Sequence, residues 1–142
     1  MESPESRRFA VTLKHLAAQG GDSAQVTDAV VSTWKTIDTT LAPVIGIKGV
    51  AALYQRSLYL AIPGHPWLAT LYTKDDTRMD LVRLKAALAQ QDSLSAAAGG
   101  GAHLQTLYEL LASLIGPSLT AQLLGAAWDK PFGRPASEDP SP

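Results

Sequence analysis

The residues able to do chemistry are few. Three histidines stand far apart, His15 in a helical stretch, His65 in a proline-flanked turn and His103 ahead of a long apolar run. None has a second ligand at one helical turn or at finger spacing, whereas a structural zinc site takes four ligands in a fixed arrangement. The absence of cysteine removes disulfides, thiol catalysis and cysteine-ligated zinc together. No serine lies in a Gly-x-Ser-x-Gly elbow. Asp75, Asp76 and Asp80 in DDTRMD offer the oxygen ligands a magnesium ion takes. No second carboxylate cluster answers them, and negative charge at a helix start is the fuller account. Gly99-Gly100-Gly101 lacks the strand context and the Lys-Ser/Thr end of a phosphate cradle and reads as a flexible joint. The sequence therefore offers no catalytic residue, metal site or cofactor site, and a non-enzymatic protein is expected.

The elements that hold these residues are helical. Phe9, Leu13 and Leu16 set a short first helix ending at Gly20-Gly21. Asp22 and Gln25 have capping-box spacing, and Val26, Ala29, Val30, Trp34, Ile37 and Leu41 form the stripe of a second helix. Pro43 and Gly46 mark a bend, because proline removes a donor and disfavours helical geometry in the residue before it. A third helix follows over 47–61, with Ile47, Val50, Ala51, Tyr54, Leu58 and Ala61 inward, Leu53 and Leu60 broadening the stripe, and Lys48, Gln55 and Arg56 wet. After the turn at Pro63-Gly64-His65, Pro66 opens a short helix that packs Trp67, Leu68, Leu71 and Tyr72. Asp75 and Asp76 start a fifth stretch whose seam is Leu81, Leu84 and Leu88, and Asp92 caps one or two further turns.

The stretch 102–128, AHLQTLYELLASLIGPSLTAQLLGAAW, organises the rest. Leu104, Leu107, Tyr108, Leu111, Leu114 and Ile115 make one helical stripe, Gly116-Pro117 reverses the chain, and Leu119, Leu123, Ala126 and Ala127 make a second, closed by Trp128. Trp34, Tyr54 and Trp67 are expected to enclose this hairpin. Its other face carries Gln105, Thr106, Ser113, Thr120 and Gln122, which are polar but uncharged, leaving Glu109 and His103 as the groups that resist a partner. A surface without charge is cheap to desolvate. Gln105, Thr106, Glu109, Ser113 and Gln122 are therefore the expected partner-binding residues, for a protein partner or a homo-oligomer.

Composition sets the remaining limits. The chain has 142 residues, 46% of them hydrophobic, enough for one domain with a real core. A net charge of −1, from 12 basic and 13 acidic residues without basic clusters, provides no field to gather nucleic acid. The break at Gly116-Pro117 and the lack of a long apolar run argue against a membrane span, and the absence of an amino-terminal apolar region leads to the expectation of a cytoplasmic protein. Residues 1–8 and 133–142 have neither periodicity nor apolar surface and are expected to be disordered tails of a helical domain over 9–132.

One family resemblance adds to this. Val30-x-x-x-Trp34 followed by GVAALYQRSLYLAIPGHPWLATLY resembles the opening of bacterial globins, with a Trp-bearing helix, a Leu-Tyr-x-Arg helix and a proline-marked corner. LYELLASLIGPSLTAQLLGAAWDKPF is similar to the last two globin helices, with Gly116, Leu119-Thr120 and Ala127-Trp128 at matching places. The resemblance implies a globin-like fold and a ligand pocket reached by His103, Tyr54 and Trp67. The family's iron-binding histidine belongs to a helix before the penultimate one, where this chain holds its glycines. His103 is out of position for it, so haem is not supported and the implied protein is a haem-free sensor. The expected architecture is an all-α domain of five to seven helices with a carboxy-terminal hairpin. Its expected role is that of a regulatory or adaptor module, the ligand-binding globin-like sensor being the alternative.

Overall fold

Local capping starts most of the helices where the side chains dictate. In a computed structural model that describes residues 4–20, 22–72 and 79–129, the described residues form five α-helices and two short 3-10 segments, with no strand among them. The all-α expectation holds. α1 is Pro4–Ala18 and buries Phe9, Ala10 and Leu13. It begins inside the segment expected to be a loose tail, since proline at a first-turn position gives up no hydrogen bond a helix needs.

α2, Ser23–Ala61, opens on a complete capping box: the Asp22 carboxylate accepts from the Gln25 amide at 2.9 Å, and the Gln25 side chain accepts from the Asp22 amide at 2.9 Å. The helix is broken at Gly46, where φ is 85° and ψ 159°, a conformation essentially reserved for glycine. Its two halves fold back against each other, bringing the Trp34 and Tyr54 rings to 4.9 Å between centroids. Ser23–Gly64 is long and apolar enough to cross a membrane by length and composition alone, a test that the core helix of a soluble protein also passes. Three expectations for the second half fail, among them Leu60, which was to broaden the inward stripe and is 42% exposed. Ile47, placed inward by its spacing, is 63% exposed beside the break, and Gln55, placed on the wet side, is buried.

The 3-10 segments Ile62–Gly64 and Pro66–Leu71 carry the chain across, burying Leu68 and Leu71 and leaving Tyr72 exposed. Asp75 and Asp76 lie outside the described residues. Asp80 is the cap that starts α3, Leu81–Ala89, accepting from the Arg83 amide at 3.1 Å. Leu84 and Leu88 face the core.

α4, Ser93–Ile115, is the central helix and is longer than expected. Asp92 caps it, accepting from the Ser95 amide at 2.7 Å, and Gly99-Gly100-Gly101 continues the helix and is no joint. The three glycines exist for proximity. A Cβ at Gly99 would meet the Trp67 ring at 2.3 Å, at Gly100 a Val30 methyl at 2.9 Å, and at Gly101 the Ala10 Cβ at 2.9 Å. A residue costing about 1 kcal/mol of helix propensity is thus kept where three neighbouring elements close onto the axis. Gly116, with φ 93° and ψ 152°, ends α4, and α5, Pro117–Asp129, folds back over α4 as the sequence indicated.

Candidate functional site

The centre of the core holds a polar aromatic cluster. His103 from α4 is fully buried, not on the outer face. Its imidazole centroid lies 4.7 Å from the ring of Trp34 and 4.8 Å from that of Tyr54, so the two halves of α2 clasp it from two directions. His103 Nε2 is 3.1 Å from the backbone oxygen of Tyr54. A carbonyl oxygen only accepts, so Nε2 carries the hydrogen and Nδ1 is left as a lone-pair acceptor. Nδ1 and the Trp34 indole N–H are both buried without a hydrogen-bond partner. One is an acceptor and the other a donor, on rings in contact.

The electrostatics follow from burial. Desolvation lowers the His103 pKa from 6.5 to about 4, against the opposing hydrogen bond to Tyr54, so the ring is neutral around pH 7. Burial likewise pushes the Tyr54 phenol up, with Asp80 adding to the rise and Arg83 opposing it. His65, partly covered, is lowered by burial and then by Lys14. No group of three or more His, Asp or Glu side chains placed to hold a metal exists among the described residues.

A haem does not fit here. Nε2 is committed to the Tyr54 carbonyl, Nδ1 is enclosed, and two rings pack within 5 Å of the imidazole, where a porphyrin would need a flat slot. Of the three residues expected to line a pocket, His103 and Tyr54 meet. Trp67 packs instead on Gly99, one turn earlier on α4.

The five expected partner-binding residues divide by depth. Gln105, Thr106 and Glu109 are half-buried, with Gln105 Nε2 donating to Glu109 Oε2 at 3.1 Å and the Thr106 hydroxyl donating to the Ala102 carbonyl at 2.8 Å. Ser113 and Gln122, nearer the turn, are exposed. Thr120 leaves the expected outer face: it is buried, as is Leu124 one turn on, and its hydroxyl is satisfied by donating to the Gly116 carbonyl at 2.8 Å. Leu119 correspondingly turns outward, 43% exposed, and Leu114 on the other side of the turn is 68% exposed. The buried stripe of α5 is rotated from the one its spacing suggested.

Sequence reasoning missed a second surface. Tyr59, near the end of α2, and Tyr72, after the second 3-10 segment, are both exposed with ring centroids 5.5 Å apart, and the Arg56 guanidinium carbon lies 5.8 Å from the Tyr59 ring centre. The two tyrosines come together only through the intervening turns, so no periodicity announces the pair. Comparison with protein-family models, curated proteins and solved structures finds no match for the chain.

Proposed function

We propose that the chain is a non-enzymatic helical adaptor or regulatory module that associates with protein, a second copy included, through the turn end of the α4–α5 hairpin. The observation that supports this reading is the outward placement of Leu114 and Leu119 on either side of Gly116-Pro117, in a stretch with no formal charge between Glu109 and Asp129. Ser113 and Gln122 extend the same end with neutral polar groups. Such a patch loses little on dehydration and provides apolar anchors at its centre. Light scattering coupled to size-exclusion chromatography tests it. The expected result is a mass that rises above 15.0 kDa with concentration and returns to the single-chain value in Leu114→Lys/Leu119→Lys. A single-chain mass throughout, with the same crosslinked partners in cells for the native chain and the variant, sinks the reading.

The complementary nitrogens of His103 and Trp34 favour a second reading, a haem-free, globin-like sensor that admits a small hydrogen-bonding molecule between them. Native mass spectrometry of the purified chain is the check. A retained small molecule lost in Trp34→Phe is the expected result, and a bare chain together with an unchanged His103 ¹⁵N spectrum on Trp34→Phe removes it.

A further inference from the structure

We infer that the bend of α2 and the turn between α4 and α5 form one apolar end of the molecule, and that this end joins two copies of the chain, the α2 bend of one against the α4–α5 turn of the other. The inference rests on the association proposed above and adds to it the partner and the other half of the surface. α4 runs parallel to the first half of α2, since Gly100 lies against Val30 and, further along both helices, His103 lies against Trp34. Beyond that last contact Gly46 is twelve residues along α2 and Gly116 thirteen along α4, which is about 18 Å and about 20 Å at the helical rise per residue. The two reversals therefore reach the same end, and α5, folding back from it, packs on α2 as well as on α4.

Each reversal carries exposed aliphatic side chains on both sides of its glycine: Val44 and Ile47 about Gly46, 58% and 63% exposed, and Leu114 and Leu119 about Gly116. Together the four leave on the order of 400 Å² of apolar surface, as large as the main patch of a typical monomer and about half of the ~800 Å² that one partner gives to a stable interface. Exposed Pro43, Pro117 and Ser118 widen it without adding charge. Such a surface suits its own copy. A two-fold axis brings like groups near one another, so a charged patch repels its own image and an uncharged one does not. Along the helices that meet at this end the nearest charges are Lys48, Asp38 and Glu109, one positive and two negative, a balance that draws no anionic headgroup.

Sedimentation equilibrium of the full chain and its variants is the test. Ile47→Lys alone and Leu119→Glu alone should each weaken self-association at least tenfold, and an equimolar mixture of the two should regain the dimer mass, because one copy's lysine then faces its partner's glutamate. Both residues are exposed, so thermal unfolding should match that of the native chain, and Val44→Lys takes the place of Ile47→Lys if the latter unfolds early. Native-like association in Ile47→Lys and Val44→Lys, with dissociation in Leu114→Lys/Leu119→Lys, overturns the inference while leaving the α4–α5 turn as an association surface. Dissociation of both single variants without recovery on mixing overturns the pairing of bend with turn. A native chain that stays single at every concentration overturns the inference too, in favour of a lipid surface if it sediments with phosphatidylcholine vesicles and of a different protein if Leu114→Lys/Leu119→Lys loses a crosslinked partner in cells.

Discussion

Gly99 lies so close under the indole of Trp67 that a Cβ there would stand 2.3 Å from Cζ2. Gly100 and Gly101 repeat the relationship with Val30 and with the Cα of Ala10. Any side chain at these positions pushes another element away from α4.

The first prediction concerns sign. Alanine normally improves a helix by about 1 kcal/mol over glycine, and Gly125→Ala, where nothing lies within 4 Å of the added carbon, should stabilise by roughly 0.5–1 kcal/mol. Gly100→Ala and Gly101→Ala should instead destabilise by about 1–2 kcal/mol net, overpacking outweighing propensity. Urea unfolding of the three variants measures this, and stabilisation by Gly101→Ala would contradict the close approach of α1 and α4.

A second prediction uses pH. The His103 pKa falls from 6.5 to about 4 on folding, so the unfolded chain binds more protons between those values. Stability is therefore full above pH 6.5 and lost as pH falls toward 4, by about 1.4 kcal/mol per pH unit and about 3 kcal/mol in all. Urea midpoints measured from pH 7 to pH 4 should show this slope, and His103→Leu, whatever its overall stability, should reduce it to what His65, lowered in the same direction, contributes. An unchanged slope in that variant would place the titration elsewhere.

The two chain reversals give a third. Gly46 at φ 85°, ψ 159° and Gly116 at φ 93°, ψ 152° adopt nearly the same backbone conformation. Nothing crowds a Cβ at either position, so Gly46→Ala and Gly116→Ala should each cost about 1–3 kcal/mol through backbone strain alone. Thermal unfolding beside Gly125→Ala separates this cost from loss of packing.

The hairpin turn gives a fourth. Leu114 and Leu119 are exposed, so lysine at either position should change folding stability by less than about 0.5 kcal/mol while weakening association at least tenfold. Analytical ultracentrifugation together with thermal unfolding reads both, and a variant that unfolds early would show that these leucines serve the core.

What the sequence disclosed was whatever is decided locally. Asp22 with Gln25, Asp92, and Gly116-Pro117 act on backbone groups within a turn of themselves, so their spacing alone announced the helix ends. Phe9 and Leu13 of α1 and Leu104, Leu107, Tyr108 and Leu111 of α4 were legible for the same reason, whereas Leu114, expected on the same stripe, lies exposed beside the turn. The glycine run was misread because its role is set by Trp67, Val30 and Ala10, each from a different element. Thr120 and Leu119 exchanged faces because α5 is apolar on more than one side, and a threonine that returns its hydroxyl to Gly116 passes as an apolar residue. His103 is open to both an outward and a pocket placement from sequence, because nothing next to it in the chain shows the two rings that enclose it.

The meeting of Ala10 with Gly101 also has a bearing on biosynthesis. A ribosome adding 5–20 residues per second takes roughly 5–20 s to travel from one to the other. Through that interval Phe9 and Leu13, buried in the finished protein, await the glycine-lined wall of α4. Nascent-chain chaperones would find their apolar stripe uncovered, and the last stage of translation, not the first, completes the shelter of the earliest helix.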